Sequence, residues 1–127
     1  MNLTQLLREI ENLRGRKLNA LGKARFVKVV DVDRVNDRVV LAVGSSGTRV
    51  SRPFSEFEKL LNALNSQPAI HVDSVLAGSG TSRNQPETVL ANLPRIEVLY
   101  VSGRKHLARV SEPSHGYGTI REMDELG

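Results

Sequence analysis

Between residues 81 and 88 the chain gathers side chains suited to a nucleic acid. Arg83 can pair bidentately with guanine, and Asn84 and Gln85 with adenine, while Thr88 can reach either kind of base edge. Thr81 and Ser82, with the amides that open a helix, suit a phosphate oxygen. Twenty residues on, Ser102-Gly103-Arg104-Lys105 reads as a tight turn with two adjacent cations, which would meet a phosphate backbone or a minor groove.

Other chemistry is less well supplied. His71, His106 and His115 lie far apart without metal-ligand spacing and read as structural histidines. Asp31, Asp33 and Asp37 lack the Gly and the late Glu of a calcium loop, so they read as solvated hairpin acids. The segments GSSG (44–47) and GSGTS (78–82) have no GxxxxGK[ST] form. No Ser/His/Asp arrangement can be assigned. The expectation is no catalysis, no cofactor and no metal.

The elements around these residues set their positions. Val72, Val75 and Leu76 give a short apolar helix, and Gly78–Thr81 a turn. A second helix begins near Ser82–Asn84, with Asn84 and Glu87 as a cap pair and Pro86 in the first turn. Val89, Leu90 and Leu93 are its expected buried side. Arg83, Gln85, Glu87, Thr88 and Asn92 are left on or near the exposed side, where Glu87 would repel phosphate. Pro94 ends the helix, and Ile96, Val98 and Tyr100 alternate on a strand that turns at 102–105 and returns through Leu107 and Val110.

This order resembles a winged helix-turn-helix over roughly residues 54–110. The stretch G-T-S-R-N-Q-P-E-T-V-L-A-N-L is similar to the turn and recognition helix of that family. The resemblance implies that Arg83, Asn84, Gln85 and Thr88 face bases, and that Thr81, Ser82, Arg104 and Lys105 hold the backbone. The residues ahead of it resemble small β-modules of bacterial restriction and defence proteins.

Upstream, Leu3, Leu6, Leu7, Ile10 and Leu13 recur at helical spacing and predict a helix over 3–14, capped by Asn2 and Gln5 and ended at Gly15. Its stripe would pack on the protein's own sheet or join two copies. Arg14, Arg16 and Lys17 suit the helix dipole, or alternatively a phosphate. Residues 25–31, 38–43 and 48–52 read as three antiparallel strands. Arg49 and Ser51 share one face of the third, which is expected at an edge. Pro53 and a Ser55/Glu58 capping box open a helix to about Leu64 with Phe54, Phe57, Leu60, Leu61 and Leu64 buried, and 69–72 is a short strand.

The bulk properties agree with one compact α+β domain: 127 residues, 39% hydrophobic and 25% charged, with no cysteine. Three Phe and two Tyr make the core aliphatic. The organisation reads as an N-terminal helix with a β-hairpin module (1–52), a winged-helix-like unit (53–111) and a partly ordered acidic tail (112–127). The tail sets four acids against Arg121, so with a net charge of +4 the body carries +7. A basic body favours polyanions. No apolar run approaches the ~20 residues of a membrane span, and no signal peptide is read, so a cytoplasmic protein without a membrane partner is expected.

The leading expectation is a non-enzymatic DNA-binding protein linked to regulation or defence, acting alone or as a homodimer. One alternative is a phage-type protein that sequesters a phosphate-bearing nucleotide through Arg49, Arg83, Asn84 and Arg109. Another is a protein-interaction module.

Overall fold

A computed structural model describes residues 1–20, 26–78 and 82–123. The chain is α+β, with an N-terminal helix, an antiparallel sheet, further helices and a second sheet around one core.

Helix α1 spans Leu3–Glu11. The Asn2 side chain accepts from the Gln5 amide at 2.9 Å, and Gln5 Oε1 accepts from the Asn2 amide at 2.8 Å, so both arms of the expected capping box form. Leu6, Leu7 and Ile10, with Leu13 just beyond the helix, are buried in the chain's own core. The stripe is therefore consumed within the molecule. Truncating Ile10 to Ala would remove a fully buried side chain and cost about 2–5 kcal/mol. Gly15, at φ +76°, turns the chain back and donates its amide to the Val29 carbonyl.

The first sheet runs β1 (Lys17–Asn19), β2 (Phe26–Asp33), β3 (Arg38–Val43) and β4 (Thr48–Pro53), each antiparallel to its neighbour in that order. Strand β4 is an edge, as its mixed faces predict. A register shift between Val29 and Asp31 leaves Val30 as an extra residue. This bulge explains why Val27, Val29 and Val32 are all buried although strict alternation would turn Val32 outward. At the β2–β3 turn, the Asp33 carboxylate accepts from the Asn36 side chain and from the Val35 and Asn36 amides. The Asn36 side-chain bond above all holds the carboxyl below its ordinary pKa. Asp33 is thus occupied as a turn-former.

Helix α2 (Phe54–Ser66) buries Phe54, Phe57, Leu60, Leu61 and Leu64, the five residues expected. Its start differs from expectation. Pro53 is the N-cap and no side chain caps the helix. Instead Glu56 is buried and takes a two-pronged pair from Arg52, at 2.8 and 2.7 Å.

Helix α3 is one turn (Val72–Val75), and α4 covers Asn84–Ala91. Strands β5 (Ile96–Val101) and β6 (Arg104–Arg109) form a hairpin whose two-residue turn, Ser102-Gly103, has φ of 50° and 75°. Positive φ at both centres matches the twist of the flanking strands, and Gly103 accepts it without strain. Ahead of α3, Ile70 bridges antiparallel to Leu107 of β6.

The segment expected as a partly ordered tail is docked as far as Met123. The Ser114 amide donates to the Pro94 carbonyl and the Gly118 amide to that of Asn92. A short strand β7 (Glu122–Met123) runs parallel to β5, and Arg121 pairs with Glu97 at 3.3 Å. Among the described residues, no helix is long and apolar enough to cross a membrane.

Candidate nucleic-acid interface

Of the eight residues expected to contact DNA, the seven that are described do not form one surface. Thr81 lies outside the described residues. Helix α4, the expected reader of bases, is covered on both sides, by β1 and β2 of the first sheet and by β5 of the second. Gln85 is 9% exposed, Glu87 8%, Thr88 2% and Asn92 1%. The expectation that these four face outward is therefore corrected. Helical periodicity left them opposite Val89 and Leu90, but the first sheet, Lys105 of β6 and the segment after β6 cover that side too.

Two of them bond inside the protein, while the Asn92 Oδ1 is buried without a partner among the described residues. The Asn92 amide donates to the Thr88 carbonyl at 2.7 Å. Lys105 donates to Glu87 at 3.0 Å, so this hairpin cation and this helix carboxylate neutralise each other. Arg83 is the N-cap of α4 in place of Asn84, with no side-chain cap. Its guanidinium bonds the Asp73 carbonyl and lies 3.9 Å from the Asp73 carboxylate. Ser82, at φ +61°, and Gln85 line a cleft of about 510 Å³ opposite the Gly44–Gly47 turn, beside Phe26, Ser45, Ser46 and Thr48. Arg104 is exposed at the start of β6.

The four residues of the nucleotide alternative are also dispersed. Arg49 and Arg109 line different clefts, Arg83 is occupied by Asp73, and Asn84 begins α4.

A basic surface does form elsewhere. On the face of the first sheet away from the core, register aligns Lys17, Lys28, Ala42 and Arg49 in one row across β1–β4. The core side is set by Leu18, Val27, Val29 and Leu41, so the alternate positions in these strands point out. Lys17, Lys28 and Arg49 are exposed, and the small Ala42 leaves the row low in the middle. At strand spacings of ~4.8 Å the row is about 14 Å wide.

Two neighbours organise it. Lys17 Nζ sits 4.3 Å from the centre of the Phe26 ring, a cation–π contact that holds the ammonium on this face. Arg14 donates through Nε to the Val30 carbonyl at 3.2 Å, so the bulge ties its side chain to the same sheet. Arg14, Lys28, Ala42 and Arg49 line one cleft with Glu11, whose carboxylate is taken by Arg34. Among the described residues, none of Arg14, Lys17, Lys28 and Arg49 pairs with a carboxylate. The row is bounded along β2 by Asp31 and Asp33.

Sequence reasoning offered Arg14 and Lys17 a phosphate role as one option, proposed Arg49 only for a nucleotide, and passed over Lys28. Their spacing carries no motif. Only the strand register aligns them.

Around the second sheet, Lys105 pairs with Glu87 and Arg121 with Glu97. Burial first, and then the nearby Glu122 charge, push the Tyr100 hydroxyl above its ordinary pKa. His115 donates through Nε2 to the Ile96 carbonyl at 2.7 Å. The His71 and His106 rings meet at a tilt of 43° with centres 5.5 Å apart, and His71 Nδ1 lies 2.8 Å from Ser74 Oγ.

Fold and site define an α+β domain with a basic sheet face. No family model matches the chain, and no curated protein or solved structure is significantly similar to it.

Proposed function

We propose that this protein is a non-enzymatic nucleic-acid-binding module that holds the DNA phosphate backbone on the outer face of its first sheet. The row Lys17–Lys28–Ala42–Arg49, flanked by Arg14 and free of carboxylate partners among the described residues, carries this reading. Unpaired cations on a polyanion release condensed counterions, and that release drives binding. A width of about 14 Å matches roughly four base-pair rises of 3.4 Å, so the row can meet several phosphates at once.

The winged-helix reading of residues 54–110 is supported as a scaffold by the element order α2, Ile70, α3, α4, β5, β6 and by the Ile70–Leu107 bridge. In this account α4 is a core helix that fixes the first sheet against the hairpin. Base reading by Gln85 and Thr88 is not part of the proposal, because both are buried. Binding is expected to be indifferent to sequence.

The test is a titration of labelled random duplex DNA at ~50 mM and ~200 mM salt. Binding that weakens steeply with salt is expected. Absence of binding at the lower salt would overturn the proposal.

A further inference from the structure

A second cluster of cations lies where α1 meets the base of the β5–β6 hairpin. Arg8 on the exposed side of α1, Arg95 just ahead of β5 and Arg109 at the end of β6 line one cleft of about 320 Å³, with Gln5 and Asn12. The hairpin brings two of them together: Ile96 is the register partner of Arg109, and the Val110 amide donates to the Arg95 carbonyl at 2.9 Å. None of the three arginines pairs with a carboxylate among the described residues.

The acid in the lining is Glu9, and it is engaged elsewhere. The Tyr117 hydroxyl donates to its carboxylate, and the Asn12 amide donates to the Tyr117 oxygen at 3.1 Å. The docked segment after β6 thus holds Glu9 in place beside the arginines without pairing it to them. Three guanidinium groups against one carboxylate leave an excess of two positive charges. Gathering like charges is unfavourable unless an anion answers them.

We propose that this cleft binds a phosphomonoester. A guanidinium presents a planar fork of donors that matches phosphate oxygens bidentately. An excess of two charges suits a phosphomonoester, whose charge near neutral pH is about −1.5 to −2, better than an internal phosphodiester with one. The cleft volume falls at the low end of small-molecule sites, enough for a phosphate with part of its sugar. A phosphomonoester occurs both on a free nucleotide and at the 5′ end of a DNA strand. The site shares no residue with the basic sheet row, so the two proposals fail separately.

The test uses the full chain with AMP, a 5′-phosphorylated oligonucleotide and its 5′-hydroxyl counterpart, each titrated into wild type and into Arg8→Gln/Arg109→Gln. Both residues are exposed, and thermal melts verify that the variant folds. AMP binding that falls about tenfold or more in the variant supports the proposal with a free nucleotide as source. A preference for the phosphorylated over the hydroxyl strand that disappears in the variant supports it with a strand end as source. Wild type that binds AMP no better than the variant does, and that treats the two strands alike, overturns it. A Lys17→Gln/Lys28→Gln/Arg49→Gln variant should keep the AMP affinity and the 5′-phosphate preference.

Discussion

Lys105 Nζ lies 3.0 Å from Glu87 Oε1, joining the hairpin to the helix beneath it. The Glu87 side chain is 11% exposed and that of Lys105 33%. This contact therefore falls between a surface pair of little worth and a buried one. It also removes this hairpin lysine from the charges available to a polyanion.

Lys105→Met should accordingly act on stability. Leaving the Glu87 carboxylate without its partner is expected to cost about 1–3 kcal/mol, read by urea unfolding. DNA affinity should stay within about twofold of wild type. Arg104→Gln, at an exposed position, should change stability little.

The Arg52–Glu56 pair gives a larger effect. Its side chains are 12% and 6% exposed, and its two bonds are short. Arg52→Met alone strands a buried carboxylate and should cost about 3–5 kcal/mol. Arg52→Met with Glu56→Leu should recover most of that loss, which a double-mutant cycle in urea would measure.

Tyr117 predicts an alkaline pH dependence. Burial first, then the bond to Glu9, raise its pKa above the ordinary value of about 10. A group whose folded pKa is raised contributes stability that is fully present below the unfolded value and is lost as pH rises through the folded one. Stability should therefore decline from about pH 10 upward. In Tyr117→Phe that decline should be shallower, as measured by urea midpoints between about pH 9 and 11.

Much of the fold is legible from local pattern. The Asn2/Gln5 capping box, the α2 stripe, the Gly44–Gly47 turn and the Ser102-Gly103 hairpin each rest on residues close in sequence. Strand β1 is not legible, because one buried residue, Leu18, between two polar ones makes no period. Strand β7 has two residues and depends on β5 as its template. The burial of Gln85 and Thr88 comes in part from strands β1 and β2, more than 50 residues upstream, which α4's own periodicity cannot report. The cation row is hidden for a related reason. Lys17, Lys28 and Arg49 meet only after three strand pairings fix their register, and the bulge at Val30 then keeps Val32 in the core.

In the proposed function the first sheet carries the DNA backbone. The most direct measurement is the slope of log affinity against log salt for duplex DNA, in wild type and in Lys17→Gln/Lys28→Gln/Arg49→Gln. All three side chains are exposed, so the variant should fold. Loss of three phosphate contacts at about 0.9 each predicts a slope shallower by about 2 to 3, with weaker binding to every sequence. An unchanged slope in the triple variant would contradict the account.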